Sequence, residues 1–142
     1  MRISDNLIDD IGNAPKWFFN AIKKEPTECE IENQKGNLSY SKWVCDSKNK
    51  NLLIFIHGTG AHKKWWYPIA PHFTKNSNVI AVDLPGMGDS GFREKYSIKD
   101  FGQCIISIIE KEKLNMSIDS VFIVGHSLGG QVAAYVASEK KE

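Results

Sequence analysis

The amino-acid sequence predicts an α/β fold: a mostly parallel sheet with flanking helices. Three observations predict it. Strand-like and helix-like segments alternate over most of the chain, the order expected of a parallel sheet with helical crossovers. Two strand-like segments, 52–56 and 79–83, begin as unbroken apolar runs, which suits strands covered on both faces. Residues 121–137 read as strand, sharp turn and helix around a G-x-S-x-G sequence.

Length and composition set the outer bounds. At 142 residues the chain has the size of one domain, and 42% hydrophobic with 25% charged residues is ordinary soluble globular composition. Eighteen basic and 17 acidic residues leave a net charge of +1, so no electrostatic footprint for nucleic acid or an anionic membrane is expected. Cys29, Cys45 and Cys104 are an odd number at no metal-like spacing, which points to reduced thiols and a cytoplasmic location. The start lacks the apolar core of a signal peptide, and no run is long enough to span a bilayer.

Residues 1–26 read as a lead-in followed by a short helix, and 27–142 as the body of the domain. Asn13-Ala14-Pro15 resembles a helix start, with a cap-type residue and a proline in the first turn. Trp17, Phe18, Ala21 and Ile22 then recur at helical spacing, and Pro26 closes a helix over about 15–24. Packing on the domain is the expected role of those aromatics. Segments 28–32 and 38–45 flank Gln34-Lys35-Gly36-Asn37 and predict an antiparallel hairpin at one edge of the sheet. Strand 52–56 follows and ends in His57-Gly58-Thr59-Gly60. Residues 65–73 are helix-compatible, although Pro68 and Pro71 limit the segment and the second ends or kinks it. Strand 79–83 leads into the glycine-rich loop 84–91. Ser97 with Asp100 forms an approximate capping box, and Ile98, Phe101, Ile105, Ile108 and Ile109 mark one face of the helix behind it. Val121 to Val124 form the last strand, and 131–137 a helix rich in alanine.

The chemistry concentrates at the last turn. A serine at the tip of a strand-to-helix turn sits in a strained conformation, and its neighbours two positions away carry no side chain because strand and helix pass closely there. Such a turn lifts the Ser127 hydroxyl above the sheet and aims free N–H groups of the new helix at whatever the hydroxyl attacks. The turn after strand 52–56 lies at a carboxyl end of the sheet, where open α/β sheets place ligands. The N–H groups of Thr59 and Leu128 together would make an oxyanion hole, each donor contributing about 3–4 kcal/mol to transition-state stabilisation. Gly86-Met-Gly88-Asp-Ser-Gly91 is formally G-x-G-x-x-G, but its last glycine does not lie inside an opening helix. Tight turning, with Asp83 as a hydrogen-bond anchor, is the expected role of that loop, and no cofactor or metal is expected. Among the four histidines none is placed as general base. His126 precedes Ser127 and projects away from it, His57 belongs to the strand end, and His62 and His72 fall on the segment that follows.

These motifs resemble the α/β-hydrolase superfamily. The resemblance rests on His57-Gly58, on Asp83-Leu-Pro-Gly-Met-Gly-Asp-Ser90 and on Gly125-His-Ser-Leu-Gly129-Gly130, in family order, and covers residue 28 to the C-terminus. It implies that Ser127 is the nucleophile and that Thr59 and Leu128 supply the oxyanion hole. It also implies an acid and a histidine later in the chain, beyond Glu142. By the resemblance the fold is C-terminally incomplete, with the elbow strand left as a bare edge. The chain is then the N-terminal part of a longer hydrolase, expected to be weak or inactive alone. The implied activity is serine hydrolysis of a small-molecule ester, thioester or amide through an acyl-enzyme. Serine at position 127 disfavours dehalogenase and epoxide-hydrolase chemistry, which use a carboxylate there. C–C hydrolase, lyase or cofactor-free peroxidase chemistry on the same fold is the alternative, and a non-catalytic half-domain or remnant is another. Trp65, Trp66 and Tyr67 are read either as pocket lining or as core.

Overall fold

A computed structural model describes residues 12–32 and 35–139. In these residues, helix α1 (Lys16–Ile22) is followed by strands β1 (Thr27–Ile31), β2 (Leu38–Trp43), β3 (Asn51–Ile56) and β4 (Asn78–Val82), helix α2 (Ile98–Asn115), strand β5 (Ser120–Gly125) and helix α3 (Leu128–Glu139). The strands form one sheet in the order β1-β2-β4-β3-β5. β4, β3 and β5 run parallel. β1 and β2 form the expected antiparallel hairpin at one edge, and β2 runs antiparallel to β4. Asn33 and Gln34, part of the expected hairpin turn, lie outside the described residues, as does most of the expected lead-in, 1–11.

The unbroken apolar runs behave as strands buried on both faces. Leu52, Ile54 and Ile56 of β3 join Ile80 and Val82 of β4 under Phe101, Ile105 and Ile109 of α2 and Val132 and Val136 of α3. The alternate residues, Leu53, Phe55, Val79 and Ala81, pack on the opposite face with Trp43, Trp66 and Ala70. Tyr40 carries its hydroxyl into the first cluster and donates to Glu112 Oε1 at 2.6 Å, while Lys42 Nζ reaches Glu112 Oε2 at 3.0 Å. A carboxylate buried in α2 is thereby satisfied from β2.

The segment expected as a helix over 65–73 is instead two short 3₁₀ turns, Lys63–Trp66 and Ala70–Phe73. Pro68 lies between them and Pro71 stands in the second, so the α-helical ladder cannot run through. The N-cap of α2 is as expected in one half: the Asp100 N–H donates to Ser97 Oγ at 3.1 Å. The return half differs, because the Ser97 hydroxyl itself donates to Asp100 Oδ2 at 2.5 Å. Helix α1 docks through buried Ala21, and the Trp43 indole N–H donates to the Lys24 carbonyl at 2.7 Å. Its aromatics divide: Trp17 remains exposed beside His72, with ring centroids 5.8 Å apart.

β5 pairs with β3 on one side only; its other edge has no strand partner among the described residues. Phe122 and Val124 stand in register with buried Leu53 and Phe55, yet are 53% and 41% exposed. The apolar face thus continues past the edge of what the described residues cover.

Candidate active site

The parallel register of β3 and β5 sets Ile56 beside Gly125, so the two chains leave the sheet together. The His126 N–H then donates to the Ile56 carbonyl at 3.0 Å and carries the pairing one residue into the turn. Ser127 follows with φ +53, a left-handed conformation among the described residues otherwise taken only by glycines. A local reversal of this kind is held only where its surroundings impose it. They do so here through close backbone approach. A side chain on Gly129 would run into the Ile56 and His57 carbonyls, and one on Gly125 into the backbone of Gly129 and Gly130. The helix therefore seats directly on the strand, and both glycines of the G-x-S-x-G sequence are required by contact.

The first turn of α3 satisfies most of its own donors. The Gly129 N–H reaches His126 O at 2.9 Å, and Gly130 and Gln131 reach Ser127 O at 2.9 and 3.3 Å. Among the described residues the Leu128 N–H is left with no backbone acceptor, as the first N–H of a helix is. Beside the elbow lies the turn after β3, closed by the Ala61 N–H on Gly58 O at 3.2 Å, with Gly60 at φ +73 and Thr59 exposed at its tip. Glycine at the third position with positive φ is the requirement of a type II turn. Gly58 brings the two turns together: a side-chain carbon there would stand 3.3 Å from Ser127 Cβ and 2.9 Å from His126 Nδ1. Ser127, Leu128 and the turn that carries Thr59 thus lie at one end of the sheet.

The histidines fall elsewhere in role. His57 is fully buried; its Nδ1 lies 2.7 Å from Gly58 O and its Nε2 accepts the Leu84 N–H at 3.1 Å. These partners fix the tautomer with the proton on Nδ1 and occupy both nitrogens. Burial pushes its pKa below the usual histidine value, against the opposing effects of the Gly58 carbonyl and Asp83, so the ring is neutral. His126 is exposed and stacks on exposed Trp65, with centroids 6.1 Å apart and planes 24° apart. Trp66 turns the other way and packs on Phe55 at 4.8 Å. Of the aromatics weighed between pocket and core, Trp66 is core, while Trp65 stands beside the elbow.

The glycine-rich loop is a hydrogen-bonded knot. Asp83 Oδ2 accepts the Asp89 N–H at 2.9 Å, Ser90 Oγ donates to Asp83 O at 2.7 Å, and Gly88 leaves the space that the Asp83 carboxylate fills. Asp83 is the anchor expected of it, and the next helix opens only at Ile98. What the sequence did not indicate is buried Lys63. Its ammonium lies 3.0 Å from Asp83 Oδ2, 2.5 Å from Asp89 Oδ2 and 3.5 Å from Glu28 Oε2, and donates to Ser39 Oγ at 2.9 Å. Burial works against that charge, but hydrogen bonds to Asp89 and Asp83 outweigh it and hold the pKa above the ordinary lysine value. In sequence it is one of two adjacent lysines on a polar-looking turn, with no local mark of burial.

Comparison with known proteins settles the family. A family model described as the alpha/beta hydrolase fold matches residues 51–142. The chain belongs to the α/β-hydrolase family. This α/β hydrolase is 30% identical over 87 residues to a pimeloyl-[acyl-carrier protein] methyl ester esterase of Pseudoalteromonas atlantica, covering 60% of this chain and 31% of that protein. It is 32% identical over 92 residues to the human monoacylglycerol lipase ABHD6, covering 63% of this chain and 27% of that one. Among solved structures it superposes on the Cif epoxide hydrolase from Acinetobacter nosocomialis with a TM-score of 0.69 at 28% identity, covering 91% of this chain and 43% of that one. The match thus spans between a quarter and a third of the length of these curated relatives. Among the described residues no helix is long and apolar enough to cross a membrane.

Proposed function

We propose that this chain carries the nucleophile of a serine hydrolase acting on a small ester, thioester or amide. Ser127 Oγ attacks the substrate carbonyl, the N–H groups of Leu128 and Thr59 receive the developing oxyanion, and water later cleaves the acyl-enzyme. The observation that carries this proposal is Ser127 at φ +53 on a turn whose glycines exist to admit it, packed against Gly58 of the Thr59 turn. The esterase and lipase named among the relatives support acyl chemistry. A hydroxyl at position 127, where a carboxylate would serve epoxide opening, favours it over the activity of the epoxide-hydrolase neighbour.

The proton acceptor is the missing part. With His57 buried and both its nitrogens engaged, and His126 stacked on Trp65, no described histidine pairs with Ser127. The base and the carboxylate that orients it are to be sought outside the described residues. The 142 residues alone are then weak or inactive, with only the residual catalysis an oxyanion hole supports. Three free thiols among the described residues fit a cytoplasmic setting.

A fluorophosphonate probe tests the assignment on the protein as its gene expresses it. Labelling that disappears in Ser127→Ala is the expected result; labelling that persists unchanged would remove Ser127 from the chemistry. The uncovered β5 edge also suits a non-catalytic half-domain. That second reading would gain from a cooperatively unfolding 142-residue chain that no serine probe labels in any form.

A further inference from the structure

The Thr59 turn is held in place from outside itself. The backbone from His57 to Lys63 leaves β3, forms the turn and enters the first 3₁₀ helix. Both ends of that stretch are bonded to two consecutive residues at the exit of β4. At one end the Leu84 N–H donates to His57 Nε2 at 3.1 Å. At the other the Lys63 N–H donates to Asp83 Oδ1 at 2.6 Å. Between these anchors the bonds are local to the segment: Ala61 N–H to Gly58 O, His57 Nδ1 to the same carbonyl, and Trp65 N–H to His62 O. Where the Thr59 N–H points therefore depends on where the two ends are pinned.

The Lys63 end is pinned twice. Besides its backbone bond, its ammonium returns to the other oxygen of the same carboxylate at 3.0 Å, so one residue grips Asp83 with both main chain and side chain. Asp89 from the glycine-rich loop, Glu28 from β1 and Ser39 from β2 close around the ammonium. Glu28 is in turn held by the Tyr67 hydroxyl at 2.6 Å. Charged neighbours outside this ring are Lys64 and His62, both near Asp89. A buried ion pair is weak evidence of stability, because desolvation offsets much of the attraction, whereas fixing one geometry against others is a role it can serve.

We infer that Lys63 is a positioning residue for the reaction at Ser127: through its double grip on Asp83 it sets the direction of the Thr59 N–H. This role rests on the assignment of Ser127 and Thr59 made above. Lys63 touches no reacting atom. Its effect is on the transition state, where the oxyanion forms, and only weakly on ground-state binding.

The test uses fluorophosphonate labelling of the protein as its gene expresses it, resolved into the saturation constant and the maximal inactivation rate, with thermal unfolding measured in parallel. Lys63→Met leaves the buried Asp83 carboxylate without its cation and is expected to destabilise the fold, so it is paired with Lys63→Met/Asp83→Asn, which removes both charges together. Asp89→Asn is the mild third variant, since its carboxylate is largely exposed. The expected result is a maximal rate at least tenfold lower in the folded double variant, a smaller fall in Asp89→Asn, and a saturation constant within about twofold of the parent. A double variant that is folded and labels at the parental rate overturns the role; if the double variant does not fold, parental labelling by Asp89→Asn does so. A parent protein that no probe labels at Ser127 overturns the catalytic assignment itself, a different failure from the first.

Discussion

Gly58 and Ser127 meet closely enough that each constrains the other: a side-chain carbon on Gly58 would lie 3.3 Å from Ser127 Cβ and 2.9 Å from His126 Nδ1. The turn after β3 can approach the elbow only because residue 58 has no side chain. Gly58→Ala is therefore expected to push the two turns apart by a few tenths of an ångström. The cost is about 1–3 kcal/mol of stability, as for other overpacked sites. Labelling of Ser127 should slow by roughly tenfold, or about 1.4 kcal/mol of activation free energy. Urea unfolding and probe kinetics on the same preparations check both figures. Parental labelling by a destabilised variant would show that the Thr59 turn takes no part.

Strain at Ser127 gives a second expectation. A non-glycine residue in the left-handed region costs about 1–2 kcal/mol, which glycine does not incur. Ser127→Gly should then be more stable than Ser127→Ala by about that amount, while both lose labelling completely. Equal unfolding midpoints for the two variants would mean that the elbow relaxes out of φ +53 when the hydroxyl is removed.

Buried His57 predicts a pH dependence of stability. Its folded pKa is depressed, chiefly by burial, below an unfolded value near 6.5. Between those two values the unfolded chain binds the extra proton, so stability rises with pH across that interval. The contribution is whole above about pH 6.5 and falls away as the pH drops below it. Urea midpoints between pH 7.5 and 5 should decline in the parent and decline less in His57→Gln. The variant should also start about 1–3 kcal/mol lower, because a glutamine amide does not reproduce both bonds that the ring makes, to the Gly58 carbonyl and the Leu84 N–H. An identical slope in both proteins would assign the acid sensitivity to other groups.

The free edge of β5 carries a fourth expectation. Phe122 and Val124 extend the buried face of Leu53 and Phe55 into solvent beside an unpaired strand. Such an edge invites pairing with another chain, and a lysine on it is a common deterrent. The isolated 142-residue chain should self-associate with rising concentration. Phe122→Lys should shift it toward monomer in sedimentation velocity, with unfolding free energy changed by no more than about 0.5 kcal/mol. Undiminished association in Phe122→Lys would place the contact on another face.

The sequence by itself determined the parts whose signals are local. The unbroken runs of β3 and β4 announced strands buried on both sides, and the isoleucine stripe of α2 announced its inward face. The elbow was legible because its glycines, its serine and the helix behind them are contiguous, and so Ser127 and Leu128 stood out as candidates, with Thr59 added by the turn after β3. Even the hairpin edge followed from composition and spacing. Tertiary structure decided the rest. Two 3₁₀ turns replaced a predicted helix because Pro68 and Pro71 weigh more than the helical spacing around them. His57 became a neutral strut because the backbone of Leu84, 27 residues away, comes to its second nitrogen. Lys63 became the centre of a buried charge cluster because Ser39, Asp83 and Asp89, 20 to 26 residues away, converge on it. Burial of a charge is set by what surrounds it in space. A chain pattern read a few residues at a time holds no record of partners brought together by the crossing of strands.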